Sequence, residues 1–168
     1  MKRSLIIIAL ALCLALLAAC AVAETGTKVF QLGTSVYTVE IDESFVEGER
    51  SEEDIQDDMV AYMQSPNTLL DFDVYQFSKE GYPDTLAEFA AQEAEDYGAV
   101  EVVTDGEING IAAAWYRAVE AYDDQEYATL TYVLEDGDEY VEITFWLDGE
   151  DAEQEAQAII ETLSFVTR

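Results

Sequence analysis

Hydrophobic and polar residues alternate along much of the chain, which is the pattern of strands that bury one face. Within 69–77, Leu70, Phe72 and Val74 fall on one side, with two aspartates and a tyrosine on the other. Turn residues separate such segments, as Gly33 separates the first two. The predicted strands cover residues 28–32, 36–41, 69–77, 99–103, 112–122, 127–135 and 139–147.

Three other segments repeat their apolar residues at the spacing of a helix. The predicted helices run from Ser51 to Pro66, from Thr85 to Gly98, and from Asp151 onward. Ser51 and Thr85 each precede an acidic residue at the third following position, which is close to the spacing of a capping box. The apolar stripes are Ile55, Met59, Tyr62 and Met63 in the first helix, Leu86, Phe89, Ala90 and Tyr97 in the second, and Ala152, Ala156, Ile159, Ile160 and Leu163 in the third.

The order of these elements is a strand pair, a helix, a strand, a helix, a run of consecutive strands and a last helix. Consecutive strands joined by short turns pair antiparallel, and amphipathic helices pack on one face of such a sheet. The sequence therefore predicts a single α+β domain, with an antiparallel sheet of about six to seven strands and three helices packed on it.

The first 23 residues have the pattern of an export signal. Lys2 and Arg3 precede an apolar run over 5–17, and two cleavage signals then overlap. One lies in a sequence that resembles a bacterial lipoprotein box and would leave Cys20 for lipidation, whereas the other, after Ala23, would release the chain. Both cuts place the protein outside the cytoplasm, either lipid-anchored to the cell membrane or secreted.

This signal divides the chain into a signal peptide, 1–23, and a folded domain, 24–168. The domain holds all 37 acidic residues and only five of the seven basic residues, so its formal net charge is near −32 against −30 for the whole chain. A body of this charge repels nucleic acid and anionic lipid. We therefore expect no nucleic-acid partner, and membrane contact only through a lipid on Cys20.

The composition also excludes several kinds of chemistry. The chain contains no histidine, and both of its cysteines lie before Ala21. Disulfides, the usual zinc sites and histidine- or cysteine-dependent nucleophiles are therefore excluded from the domain. We predict no catalytic residue, no metal site and no cofactor.

Three stretches and the order of elements resemble the PsbP/DcrB-like family of envelope proteins. The stretches are VYTVEI at 36–41, INGIA at 108–112 and AIIETLSF at 158–165. The resemblance implies a PsbP-like α+β domain outside the cytoplasm, often on a lipoprotein. It further implies an accessory or binding role without shared catalytic residues.

The pair Asp136-Gly137 predicts a two-residue hairpin turn and so a strand register. In this register Thr131 lies opposite Glu142, and one sheet face is apolar while the other is mixed. If a four-residue loop follows Tyr122, the strand before it joins the mixed face. The candidate ligand- or partner-binding residues on that face are Tyr116, Tyr122, Tyr127, Tyr140, Glu142 and Trp146.

An aromatic sheet face suits a sugar, a peptide or a protein strand, although a covering helix would equally explain it. The sequence thus predicts a non-enzymatic binding protein for an unknown envelope protein or a small extracellular ligand. One alternative is a glycoside hydrolase using Glu120 and Glu142, whose backbones would be roughly 12 Å apart. Another is weak divalent-cation binding by the acidic segment 135–139.

Overall fold

A computed structural model describes residues 26–66, 70–122, 125–149 and 151–166. The signal segment with Cys20 and both expected cleavage sites lies outside the described residues, so the division into 1–23 and 24–168 stays a prediction. Within the described ranges, no helix is both long and apolar enough to span a bilayer.

The described chain folds into strands that form two sheets, and into helices that pack on them. The strands are β1 (Thr27–Gln31), β2 (Tyr37–Asp42), β3 (Val46–Glu47), β4 (Met59–Gln64), β5 (Leu70–Ser78), β6 (Glu101–Ile108), β7 (Ile111–Tyr122), β8 (Gln125–Asp136), β9 (Glu139–Leu147) and β10 (Ser164–Phe165). The helices are α1 (Glu52–Gln56), α2 (Leu86–Asp96) and α3 (Ala152–Ile160).

All strand pairs are antiparallel, which confirms the predicted single α+β domain. The large sheet has the order β3-β4-β5-β9-β8-β7-β6, and the small sheet has the order β1-β2-β10. The sequence predicted one sheet of about six to seven strands. Seven strands do form the large sheet, while the first predicted strand pair joins β10 in a second one.

One face of the large sheet forms the first hydrophobic core. The apolar positions of β5, β8 and β9 point to this face, where α3 and the small sheet cover them. Phe72 of β5 packs on Phe145 of β9 with ring centroids 5.5 Å apart. Ile160 of α3 and Val39 of β2 are buried in the same core. Each such side chain contributes about 1.5–3 kcal/mol when it leaves water.

A second core lies on the opposite face, beneath α2. Thr85 caps this helix by accepting a hydrogen bond from the Glu88 amide, as the sequence predicted. Phe89 of α2 stacks on Tyr140 of β9 with centroids 4.1 Å apart and rings inclined by 11°. Val133 of β8 is also fully buried here. α2 therefore covers part of the mixed face, and a covering helix was one of the two explanations offered for the aromatic residues of that face.

The helix predicted to continue to Pro66 is wrong beyond its first turn. α1 ends at Gln56, Asp58 takes a positive φ of 64°, and β4 begins at Met59. Pairing of β4 with β5 then fixes the segment as a strand. Apolar residues at 59, 61 and 63 alternate inward, and in so short a segment this spacing overlaps with that of a helical stripe.

The start of that helix was predicted correctly. Ser51 accepts a hydrogen bond from the Asp54 amide, and the Asp54 carboxylate accepts one from the Ser51 amide. The capping box therefore forms even though the helix is only five residues long.

The β8–β9 register differs from the predicted one by two residues. The turn is Gly137-Asp138 rather than Asp136-Gly137, because Asp136 still pairs with Glu139. Gly137 has φ of 61° at the first central position, where a two-residue hairpin of the II′ kind places glycine. A shift of two keeps every side chain on its predicted face, since side chains alternate with period two.

Candidate ligand-binding cavity

The face of the large sheet beneath α2 contains a cavity of about 430 Å³. It lies between α2 and the segment that joins α1 to β4, and it rests on β5, β9, β8 and β7. We call it the acidic cavity. It is lined by Gln56, Asp57, Asp58, Asp73, Tyr75, Phe77, Tyr82, Glu93, Tyr97, Tyr116, Glu120, Thr131, Glu142, Thr144 and Trp146.

The pairing of β5 with β9 brings the polar positions of both strands together. Asp73 lies opposite Thr144, and Tyr75 lies opposite Glu142. Their neighbours along each strand fill the first core, so alternation turns these four side chains toward the cavity.

Helical spacing supplies a wall from α2. Phe89, Glu93 and Tyr97 recur every four residues and therefore share one side of the helix. Phe89 fills the second core, whereas Glu93 and Tyr97 line the acidic cavity. The same helical side thus anchors the helix and delivers a carboxyl group to the site.

Glu142 is a buried acid with one unpaired oxygen. Its side chain lines the cavity and is only 7 % exposed, and its Oε1 has no hydrogen-bond partner in the described chain. Burial, together with the charges of Glu93 and Glu120, raises the pKa of this carboxyl to about 8. A buried polar atom without a partner costs about 1–3 kcal/mol, and more when it is charged.

Asp73 is also buried but has a partner. Trp146 donates its indole Nε1–H to Oδ2 of Asp73 over 2.6 Å. Burial raises the pKa of Asp73 to about 7, although this hydrogen bond favours the charged form. The pair fixes the orientation of Trp146 at the cavity.

The pKa values of two further carboxyl groups in the cavity are also raised. Burial raises the pKa of Glu93, helped by the charge of Asp96, and burial also raises the pKa of Glu120. None of the described residues that line the cavity is basic. The cavity therefore concentrates acidic groups without a counterion from its own walls.

The basic side chains of the described ranges are all engaged elsewhere. Lys28 donates to the carbonyl oxygens of Glu43 and Phe45, Arg50 to Met59 O and the Glu47 carboxylate, Lys79 pairs with Glu135, and Arg117 pairs with Glu101 and Glu153. None of these four side chains lines the acidic cavity.

Aromatic rings make up much of the remaining lining, and we call them the aromatic wall: Tyr75, Phe77, Tyr82, Tyr97, Tyr116 and Trp146. Tyr97 stacks on Tyr116 at 6.1 Å, and Phe77 contacts Tyr82 at 5.2 Å. Tyr82 and Tyr97 are 41 % and 46 % exposed, so they mark the opening of the cavity to solvent.

The structure brings three of the six predicted binding residues to the acidic cavity. Tyr116, Glu142 and Trp146 line it. Tyr127 contacts Trp146 edge to face at 6.0 Å, and the two residues line a second cavity of about 480 Å³. The side chain of Tyr122, at the end of β7, lies outside the described residues.

Tyr140 requires a correction, because the structure does not place it on an open face. It is fully buried under Phe89, and its hydroxyl donates to the Pro83 carbonyl oxygen over 2.6 Å. It belongs to the second core and does not line the acidic cavity. An alternating pattern alone does not show which part of a face a helix covers.

Sequence reasoning missed Asp73, Tyr75 and Glu93. Alternation in β5 shows which face of the sheet Asp73 and Tyr75 occupy. It does not show that β5 pairs with β9, and this pairing brings both residues to Glu142. Glu93 stands four residues after Phe89 and four before Tyr97. That spacing was a usable signal, since it places an acid on the buried side of an amphipathic helix.

The acidic segment 135–139 is occupied by contacts within the chain. Glu135 pairs with Lys79, Asp136 accepts from the Val36 amide over 3.0 Å, and Glu139 accepts from Gln76. Across the described ranges, no group of three or more carboxyl side chains is placed to hold a metal ion. These contacts do not favour divalent-cation binding by this turn.

The pair considered for glycoside hydrolysis is further apart than its predicted spacing. On the intervening β8, Glu120 lies opposite Tyr127 and Glu142 lies opposite Val133. Six residues of strand correspond to roughly 20 Å between the two backbones, against the roughly 12 Å expected from the sequence. Both side chains still face the same cavity, where the charge of Glu120 contributes to the raised pKa of Glu142.

No protein-family model matches the chain, and no curated protein matches it significantly. Its fold is similar to that of solved structures at low sequence identity. A protein from Bacteroides thetaiotaomicron VPI-5482 aligns with a TM-score of 0.57 and 16 % identity over 85 % of this chain. This chain spans about half of that protein, 49 % of its length.

A second solved structure matches along nearly its whole length. The cyanobacterial PsbP protein CyanoP from Synechocystis sp. PCC 6803 aligns with a TM-score of 0.61 and 6 % identity. The alignment covers 87 % of this chain and 96 % of CyanoP. The resemblance expected from the order of elements is thereby confirmed at the level of structure, and the chain has a PsbP-like fold.

Proposed function

We propose that this protein is a non-enzymatic binding protein of the extracytoplasmic space that holds a small ligand in the acidic cavity. The observation that carries the proposal is the buried Glu142, whose Oε1 has no partner in the described chain and which lines a cavity open to solvent. Buried acceptors are kept in folded proteins where something satisfies them. A ligand that donates to Oε1 meets that need.

The cavity also has the size and lining of a small-molecule site. Its volume of about 430 Å³ falls within the range of about 300–1,000 Å³ that is usual for such pockets. Aromatic rings provide apolar contact, while Asp73, Glu93 and Glu142 provide converging polar groups. A protein strand fits this face less well, because α2 and the second core already cover part of it.

The pKa shifts of the cavity acids do not mark out a hydrolytic acid–base pair. A carboxylate-based hydrolase sets two acids apart, with one held ionised and the other protonated. Here burial raises the pKa of Asp73, Glu93, Glu120 and Glu142 alike. These four shifts have the same direction, so by themselves they single out none of the four acids as the ionised partner of a hydrolytic pair.

For location, the proposal keeps the two routes that the leader offers. Export with lipidation of Cys20 anchors the domain to the membrane surface, whereas cleavage after Ala23 secretes it. Mass spectrometry of the mature N-terminus separates them, since the first gives a diacylated Cys20 and the second a free Glu24. An intact Met1 in cell extracts contradicts both.

Binding at the cavity is tested by a thermal-shift screen of the folded domain against neutral disaccharides, organic amines, carboxylic acids and short peptides. We expect at least one class to raise the melting temperature of the parent. The shift should be lost in Glu142→Gln and kept in Glu107→Gln, a matched control at an exposed position outside the cavity. The bound compound should be recovered unchanged.

Two results contradict the proposal. One is that no class shifts the melting temperature of the parent. The other is that the shift is the same in Glu142→Gln as in the parent, which places binding elsewhere. Steady conversion of any compound in the screen contradicts the non-enzymatic part alone.

A further inference from the structure

The charges of the acidic cavity select among ligand classes. Six of its lining residues are acidic, namely Asp57, Asp58, Asp73, Glu93, Glu120 and Glu142, and none of the described lining residues is basic. An anionic ligand would be repelled by such a lining. A cationic ligand would be attracted, and it would also relieve the repulsion among the acids themselves.

We propose that the acidic cavity binds a protonated organic amine, whose ammonium group donates to Glu142 and whose carbon chain lies against the aromatic wall. This inference rests on the proposed function, since it names the ligand class of the same site. Oε1 of Glu142 is an acceptor without a partner, so the ligand must bring a hydrogen-bond donor, and an ammonium N–H is a donor that also carries the positive charge. A quaternary ammonium ion carries no such donor.

The shape and lining of the site favour an organic cation over a metal ion. A cavity of about 430 Å³ is far larger than a single ion, and no set of three carboxyl groups in the described ranges is arranged to coordinate one. The faces of aromatic rings attract ammonium groups, and more strongly when water is excluded. The aromatic wall therefore adds attraction for an ammonium ion and apolar contact for its carbon chain.

Within the described ranges, no basic side chain lines the site to compete with a ligand cation. Lys28, Arg50, Lys79 and Arg117 are held by the partners described above. A ligand amine thus enters a site whose negative charge the described part of the protein leaves uncompensated. A charge-assisted hydrogen bond to a carboxylate contributes about twice as much as a neutral one.

The test uses isothermal calorimetry at pH 8.5 with cadaverine as the amine and 1,5-pentanediol as its neutral counterpart of the same length. We expect one saturable cadaverine site per chain and no binding of the diol. Affinity should fall at least tenfold in Glu142→Gln and should not change in Glu107→Gln. Glu93→Gln, on α2, is a second cavity variant, and circular dichroism checks that each variant is folded.

The controls separate site binding from attraction to an acidic surface. Weak, non-saturating uptake that is equal in the parent and in both cavity variants overturns the inference, because it reports net charge alone. Tetramethylammonium binding as tightly as cadaverine also overturns it, since that cation has no N–H to donate.

Failure of the inference is distinguishable from failure of the proposed function. If a neutral sugar or the diol binds at Glu142 and cadaverine does not, the amine is wrong and the binding function stands. If no class in the thermal-shift screen binds and cadaverine gives no heat, both are wrong.

Discussion

Glu142 shows how a single residue sets the character of the site. It lies in the middle of β9, between Val141 and Ile143, which fill the first core, and its own side chain points the opposite way. A strand buried on both faces normally carries apolar residues on both. The acid at this position therefore costs stability, and we expect the cost to depend on pH.

The pKa of Glu142 in the folded state is about 8, above the ordinary value of 4.5 for a glutamate. A raised pKa means that the folded state binds the proton more tightly than the unfolded state does. The resulting stability is fully present below about pH 4.5 and is lost as pH rises through about 8. Urea unfolding at pH 5 and pH 9 should show a fall in the free energy of unfolding.

In Glu142→Gln this fall should be smaller by on the order of 3 kcal/mol, because glutamine does not ionise. Glu107→Gln should keep the parental pH profile. Parallel profiles for Glu142→Gln and the parent contradict the burial of this acid.

Tyr140 tests the assignment of an aromatic residue to the core. Tyr140→Ala should lower the free energy of unfolding by about 3–5 kcal/mol, since it empties the space beneath Phe89. Tyr140→Phe keeps the ring and loses only the hydrogen bond to the Pro83 carbonyl oxygen, which should cost about 1 kcal/mol. Chemical denaturation measures both, and a neutral Tyr140→Ala contradicts the placement.

At the scale of elements, local patterns predicted most strands and helices, and non-local pairing decided the remainder. The predicted strand 69–77 and the helix capped at Thr85 appear as β5 and α2. The sequence did not predict β4, because Met59 and Met63 also fit the spacing of the helix that Ser51 caps. In the structure that helix has only five residues, and Asp58, with its positive φ, follows it before β4 begins. Its strand character comes from pairing with β5, which no local window contains.

The faces of the site were predictable, but its assembly was not. Alternation placed Glu142 and Trp146 on the mixed face, and an error of two in the register left that placement intact. Asp73 reaches Trp146 only through the β5–β9 pairing, across more than 60 residues of chain. Sequence periodicity tells which way a strand faces, and not which strand lies beside it.

The β6–β7 turn offers a prediction at this scale. Asn109 and Gly110 both have positive φ, and the Asn109 side chain donates to the carbonyl oxygens of Glu161 and Leu163 just after α3. Asn109→Ala should lower the free energy of unfolding by about 2 kcal/mol, through backbone strain and two lost hydrogen bonds.

Asn109→Gly is the matched control for that variant. It loses the same two hydrogen bonds but tolerates the positive φ, so its loss of stability should be the smaller of the two. Equal losses in both variants mean that the backbone conformation contributes nothing, which contradicts the assigned turn.

At the scale of the whole molecule, charge is the dominant feature. With a net charge of −30, the acidic side chains repel one another in the compact state. Salt screens this repulsion, with a Debye length of about 10 Å at 0.1 M. The melting temperature should therefore rise by a few degrees between 10 mM and 500 mM sodium chloride at pH 8. A fall over this range contradicts the dominance of repulsion over the few ion pairs.

The affinity for an amine should depend on pH, because a bound ammonium group favours the ionised form of the cavity acids. Amine affinity should fall as pH drops below about 8 and the cavity carboxyl groups become protonated. The other titratable groups that line the cavity with Glu142 are Asp57, Asp58, Asp73, Tyr75, Tyr82, Glu93, Tyr97, Tyr116 and Glu120.

The most direct test is a pH titration of the Glu142 carboxyl carbon by NMR, assigned by comparison with Glu142→Gln. We expect a midpoint near pH 8 in the free protein and a lower midpoint with cadaverine bound. A midpoint near 4.5 without ligand would show a solvated carboxylate and contradict a buried, uncompensated acid at the centre of the site.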